Sequence, residues 1–124
     1  VIDSVKTKHL VSHEWERAHV LREFRAGRVP REEICDADFL LRAAAQYHGT
    51  PAPRSCPVCK GEMKQTFWVY GQALGRRAGS ARSVAEIAEL AGEIIPSGQE
   101  FTVHKVEVCP HCRWNHLLET AIAC

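Results

Sequence analysis

Two short stretches carry the residues with the most chemistry in them. "RSCPVCKGE" holds Cys56-Pro57-Val58-Cys59, and "VEVCPHCRWNHL" holds Cys109-Pro110-His111-Cys112. A single pair at this spacing reads as a redox dithiol with a lowered thiol pKa. Two matched pairs, each with proline after the first cysteine, suit four thiolates around one tetrahedral ion, each pair wrapping the metal in a tight turn. Two disulfides and unpaired thiols are the competing readings. The separation is unusual: 49 residues lie between Cys59 and Cys109, against roughly 15–20 for common paired knuckles. Something is inserted between the knuckles without moving them apart.

Four thiolates on a divalent ion leave an excess negative charge. Lys60 and Arg113 each follow the second cysteine of a pair, and with backbone N–H groups they would offset it. Gly61 would let the backbone turn close to the metal. A shell of four sulfurs is closed, so the expected site is structural, with one zinc ion and no position for substrate. His111 and His116 are competing ligands; the plainer reading leaves His111 exposed and His116 packed on a sheet. Cys35 reads as a small buried hydrophobe, and Cys124 as a free, mobile thiol. His9, His13, His19, His48 and His104 form no ligand pattern with one another. No glycine-rich phosphate loop or nucleophile elbow occurs, and Glu32 and Glu33 sit near a helix start, where solvated acids belong. Arg76, Arg77 and Arg82 lie in a Gly/Ser loop and, with Arg113 and Trp114, could grip phosphate, stack on bases or meet an acidic surface. A solvated loop explains the arginines equally well.

The elements that must position these residues follow from periodicity. Residues 4–26 read as a helix with Leu10, Val11, Ala18, Leu21 and Phe24 at helical spacing, ended by Gly27 and Pro30. A second helix is expected with Asp38 as cap, Leu40, Leu41, Ala44 and Tyr47 as apolar face, and Gly49 as stop. The two should pack together through Trp15, Leu21 and Phe24 against Leu40, Leu41 and Ala44. "TPAPRS", residues 50–55, reads as a stiff linker. Beyond the first knuckle, "QTFWVYG" is a strand and "QALGRRAGSAR" a loop. Ser83 and Glu86 form a capping box for a helix to Gly92, with Val84, Ile87, Ala88 and Ala91 as its face. "FTVHKVEV" is a strand with a bulge between Val103 and Val106. "WNHLLETAIA" alternates as a third strand, with helix as the other reading.

Composition bounds the rest. The chain has 124 residues, is 45% hydrophobic and 25% charged, and carries a net charge of +1, ordinary values for a globular protein. The halves before and after Cys56 are each nearly charge-balanced, unlike proteins held chiefly by phosphate contacts. No apolar run reaches the roughly 18 residues of a membrane helix, and the N-terminal stretch lacks the core and cleavage site of a signal peptide. The expectation is a cytoplasmic protein, where disulfides are rare, with no membrane partner and no small-molecule substrate.

Taken together, "EICDADFLLRAAAQYHG", "CPVC", "WVYGQALG", "AEIAELA" and "VEVCPHCRWNHL", in that order, resemble an actinobacterial family of small proteins, the domain of unknown function numbered 5318. The resemblance covers most of residues 30–120. It supports the cysteine quartet and the source but implies no reaction. The knuckle-and-strand arrangement is also similar to zinc ribbons of transcription and translation factors, a likeness of fold that says little about function. The expected class is α+β: a helical region over 1–49, a linker over 50–55, and over 56–124 a three-stranded antiparallel zinc ribbon with a helical insertion at about 83–92. The expected role is a non-enzymatic adaptor for a protein or ribonucleoprotein machine. Direct nucleic-acid binding and a rubredoxin-like iron electron carrier are the alternatives.

Overall fold

The computed structural model describes residues 4–124. Its frame is an antiparallel sheet of six strands, not three. They are β1 (Thr7–Ser12), β2 (Thr50–Ser55), β3 (Glu62–Tyr70), β4 (Ser80–Arg82), β5 (Phe101–Val108) and β6 (Asn115–Ala123). The order is β1-β6-β5-β3-β2, and β4 pairs with the part of β3 that β2 leaves free. The three expected strands are its centre. β5 and β6 form a hairpin across the second knuckle, and their register slips between Lys105 and Val106, where the apolar phase changes in the sequence.

The extra strands come from segments whose local signals point elsewhere. Residues 50–55, expected as a linker, are β2. Its prolines, Pro51 and Pro53, are tolerated because β2 lies at the sheet edge, where a missing N–H leaves no ladder bond unmade. The expected helix over 4–26 is two elements. β1 pairs with β6 at the opposite edge through a register shift between Lys8 and Val11, and His9 takes a positive φ of 53° there. Helix α1 begins only at Glu14 and ends at Arg25. Leu10 and Val11 are exposed on β1, so their helical spacing with Leu21 was coincidental.

The remaining helices are α2 (Arg31–Ile34), α3 (Phe39–His48) and α4 (Val84–Ile94). The Leu41 N–H donates to Asp38 Oδ1 at 2.8 Å, capping α3 as expected, and Gly49 follows its last turn. Both halves of the Ser83–Glu86 capping box are present. Gly92 does not stop α4, which runs to Ile94 and ends through a short 3-10 turn at Gly98, φ 83°. Its buried residues are Ile87, Leu90 and Ile94; of the expected face, Ile87, Ala88 and Ala91 pack on the core, whereas Val84 is exposed.

The N-terminal helices do not pair. Leu21 and Phe24 of α1 pack with Ile34, Met63, Trp114 and the knuckle cysteines. Leu41 and Ala45 of α3 pack with Val106 and Val108. Glu107, which α1 contacts through Arg17, alternates along β5 with Val106 and Val108, so α1 and α3 lie on opposite faces of the sheet. Trp15 and Leu40, expected between the helices, are exposed. Helix α4 covers the α1 side at the other end of the strands, against Phe67, Val69, Phe101 and Val103. Cys124, expected as mobile, donates its backbone N–H to the Lys6 carbonyl at 3.0 Å. Among the described residues no helix is long and apolar enough to cross a membrane.

Candidate metal centre

The knuckles are copies of one turn. The Cys56 N–H donates to the Gly61 carbonyl at 2.8 Å and the Lys60 N–H to the Cys56 carbonyl at 3.0 Å; the Cys109 N–H donates to the Trp114 carbonyl at 2.7 Å and the Arg113 N–H to the Cys109 carbonyl at 3.1 Å. Equivalent residues Lys60 and Arg113 take positive φ values of 68° and 75°. Proline after each first cysteine lacks an N–H and fixes φ, which suits the tight start of the turn. Knuckle one runs directly into β3 and knuckle two closes the β5–β6 hairpin. Since β3 and β5 pair from Lys64↔Val108 onward, the ladder brings the knuckles face to face. The segment inserted between β3 and β5, residues 71–100, leaves and returns at the far end of the strands.

The ligand atoms of Cys56, Cys59, Cys109 and Cys112 lie within 4.8 Å of one another. Cys56 Sγ is 3.5 Å from Cys112 Sγ, and Cys59 Sγ is 3.5 Å from Cys109 Sγ. A tetrahedron with metal–sulfur bonds of about 2.3 Å has edges of about 3.8 Å, so four cysteines here could hold one metal ion. Backbone N–H groups point at the sulfurs: Cys59 to Cys56 at 3.5 Å, Gly61 to Cys59 at 3.4 Å and Cys112 to Cys109 at 3.5 Å. Such donors spread the excess charge of a four-thiolate site. As thiols, the group is ill matched. Burial pushes Cys109 and Cys112 up. Burial also raises Cys59, but the Gly61 N–H and neighbouring thiols outweigh it and bring Cys59 down to about 7. A bound cation is what would let all four ionise together.

His111 and His116 are not in the cluster. His111 is exposed, and its ring lies close to residue 61: a Cβ on Gly61 would stand 3.0 Å from His111 Cδ2 and 3.3 Å from Cys59 Sγ, so a side chain there would have to displace them slightly. His116 stacks near Trp114, with centroids 5.9 Å apart.

Sequence reasoning missed two features around the cluster. Glu107 is 1% exposed. It accepts from Arg17 Nε at 2.7 Å, Trp114 Nε1 at 2.8 Å and Arg54 Nη2 at 3.3 Å. Arg54 also forks onto Glu14 at 2.9 and 3.2 Å; the hydrogen bond from Arg54 holds Glu14 below the usual carboxylate range. One buried carboxylate thus ties α1, β2 and β5 to the residue that closes knuckle two. A charged residue in a strand of apolar neighbours was the available signal. The second feature is Cys35. It packs on the core as expected, half-buried, but its Sγ is also 3.8 Å from Cys112 Sγ, which makes it a neighbour of the four-cysteine cluster.

The residues expected at a macromolecular contact do not form one surface. Trp114 is fully buried, so its ring cannot stack on a base. Arg77 pairs with Glu93 at 2.8 Å and Arg82 with Glu86 at 3.4 Å. Arg113 Nε donates to the Ala37 carbonyl at 3.0 Å. Arg76 is exposed beside them.

A family's sequence pattern covers nearly all of these elements: residues 5–124 match the family of unknown function DUF5318. The chain belongs to that family. Among its relatives are the uncharacterized protein Rv0049 of Mycobacterium tuberculosis (strain ATCC 25618 / H37Rv) and the uncharacterized protein Mb0050 of Mycobacterium bovis. Each is 41% identical over 107 residues, 86% of this chain and 75% of the relative. No solved structure matches the chain.

Proposed function

We propose that this chain is a non-enzymatic cytoplasmic adaptor, stabilised by one structural zinc ion, that docks onto a large macromolecular machine of the RNA polymerase or ribosome class. The observation that carries the docking half is the outer side of α3. Phe39, Leu40 and Tyr47 are 72%, 72% and 76% exposed, although they stand on a helix whose other side is packed on the sheet. Phe39, Ala43 and Tyr47 follow at helical spacing and, with Arg42, Lys64 and Pro110 of knuckle two, line a groove of about 300 Å³. Large apolar groups gathered beside the cations Arg42 and Lys64 suit a protein surface with acidic and aromatic features. The closed four-sulfur shell supports a structural and not a catalytic metal. The pairing of Arg77 and Arg82 with acids weighs against direct binding of nucleic acid.

Elemental analysis tests the metal: one zinc per chain and a colourless protein are expected, whereas a red protein that bleaches on reduction would make it a rubredoxin-like iron carrier. The tagged chain purified from actinobacterial cells tests the docking. A stoichiometric polymerase or ribosome should co-purify, and Phe39→Ala with Tyr47→Ala should release it while leaving the metal content unchanged. Recovery with no stoichiometric macromolecule would overturn the adaptor reading.

A further inference from the structure

The fifth cysteine near the cluster is held there by its surroundings. Cys35 closes the single turn of α2, with its N–H on the Arg31 carbonyl at 2.9 Å. On one side Ile34 is buried in the same core as Cys56 and Cys109. On the other, the next residues are clamped to knuckle two. The Ala37 N–H donates to the Arg113 carbonyl at 3.0 Å, Arg113 Nε returns to the Ala37 carbonyl at 3.0 Å, and Asn115 Nδ2 donates to Asp36 Oδ1 at 2.8 Å. The 3.8 Å approach of Cys35 Sγ to Cys112 Sγ is therefore fixed from both sides. Exposure separates the ligands: Cys56 and Cys109 are buried, whereas Cys59, Cys112 and Cys35 are partly open.

We propose that Cys35 and Cys112 form an oxidation site for a hydroperoxide, at which Cys35 is the resolving thiol and the metal ion is released. The inference rests on the four-thiolate metal reading above. In the first step the Cys112 thiolate attacks the distal peroxide oxygen. The O–O bond breaks, a sulfenic acid forms, and the leaving hydroxide is protonated to water. In the second step the Cys35 sulfur, giving up its proton, attacks the Cys112 sulfur. The S–O bond breaks, a second water leaves, and a Cys35–Cys112 disulfide forms. Two thiol groups lose two electrons in all, and hydrogen peroxide takes them up as two waters. The ion is then left with three thiolates and an open position, and its affinity falls because only thiolates are strong ligands here. Among the described residues the fifth thiol approaches Cys112 and not Cys59, the other partly open ligand.

Zinc-loaded protein treated with hydrogen peroxide tests this, with released zinc read by a chromogenic chelator and disulfides mapped by mass spectrometry after blocking free thiols. The expected result is a Cys35–Cys112 cross-link that appears together with zinc release. Cys35→Ser and Cys35→Ala should bind zinc one-to-one as before, with loss of the cross-link and of the early phase of release. A first disulfide within a knuckle, Cys56–Cys59 or Cys109–Cys112, or release unchanged in both variants, would overturn the proposal. Failure of the chain to load any metal would instead sink the metal reading. The same mapping on that metal-free protein would still decide whether Cys35 and Cys112 join.

Discussion

The two ends of the sheet are held by different physics. At the knuckle end, Met63, Cys56, Cys109, Trp114 and Leu21 form a core with four cysteines and a buried carboxylate inside it. At the other end, Phe67, Val69, Ile87, Leu90, Phe101 and Val103 form an apolar core under α4. The strands that join them span only about 20 Å from Met63 to Val69 at roughly 3.3 Å per residue. The apolar end can form from burial alone. The knuckle end asks four thiols to ionise side by side and Glu107 to leave water, and neither is favourable without partners of opposite charge. The difference teaches where the insertion belongs. It should supply a self-sufficient end that brings the two half-sites together before any ion is bound, which metal removal tests.

The sharpest way to break this comparison is to remove the metal proposed for the knuckle end. A structural zinc site is worth about 10–16 kcal/mol of apparent binding free energy, so chelation or Cys56→Ser should have the largest effect. Amide exchange is expected to rise first in residues 56–61, 109–114 and α1, while α4 and the strand ends at Val69 and Val103 stay protected. The division then runs across the sheet and not along the sequence. Simultaneous loss of protection at both ends would show one cooperative core. Next in size is Ile87→Ala on α4, whose side chain is fully buried against the sheet and whose loss should cost about 2–5 kcal/mol by thermal or denaturant unfolding. Metal stoichiometry should be unchanged; a lost metal would couple the two ends.

Glu107→Gln sharpens the comparison from the knuckle side. It leaves Arg17 and Arg54 without their buried partner and should cost about 1–3 kcal/mol. Trp114 loses an acceptor held by a charge, so knuckle two should loosen and a competing chelator should strip the metal faster. Equal stripping rates in wild type and variant would mean that the Glu107 network serves only to dock α1.

How far the sequence carried each end follows the same division. The cysteine quartet, its matched turns and the β5–β6 hairpin were legible because spacing and strand alternation are local signals. The Ser83–Glu86 capping box and the Asp38 cap were legible for the same reason. The edge strands were not. Pro51 and Pro53 argue against a strand everywhere except at an edge, and being at an edge is a property of the whole sheet. Leu10 and Val11 fitted a helical stripe by chance. The face of α3 was misread because Leu40 and Tyr47, which periodicity assigns to a core, point into solvent. Glu107 and Cys35 were missed because their roles are set by Arg17, Trp114 and Cys112, partners that lie far away in the chain.

The smallest expected effect is a pH dependence at the apolar end. His104 on β5 pairs across the sheet with Thr120 of β6 and Trp68 of β3. Its ring lies 4.6 Å from that of Tyr70. Burial lowers its pKa, and the nearby His13, whose Nε2 is 3.5 Å from Thr120 Oγ1, lowers it further. The folded state therefore favours the neutral imidazole, while the unfolded chain takes up a proton near pH 6.5. Below that pH the unfolded state binds more protons, so this contribution should be fully present above about pH 6.5 and fall as pH falls from there toward the lower folded value. His104→Asn removes this contribution without touching a cysteine. The Tm difference between wild type and variant, both metal-loaded, should be larger at pH 8 than at pH 5.5. Any acid effect on the thiolates is common to both proteins and cancels in that difference. A difference constant across the range would mean that His104 keeps its ordinary titration in the fold, and that the apolar end senses pH only through the knuckles.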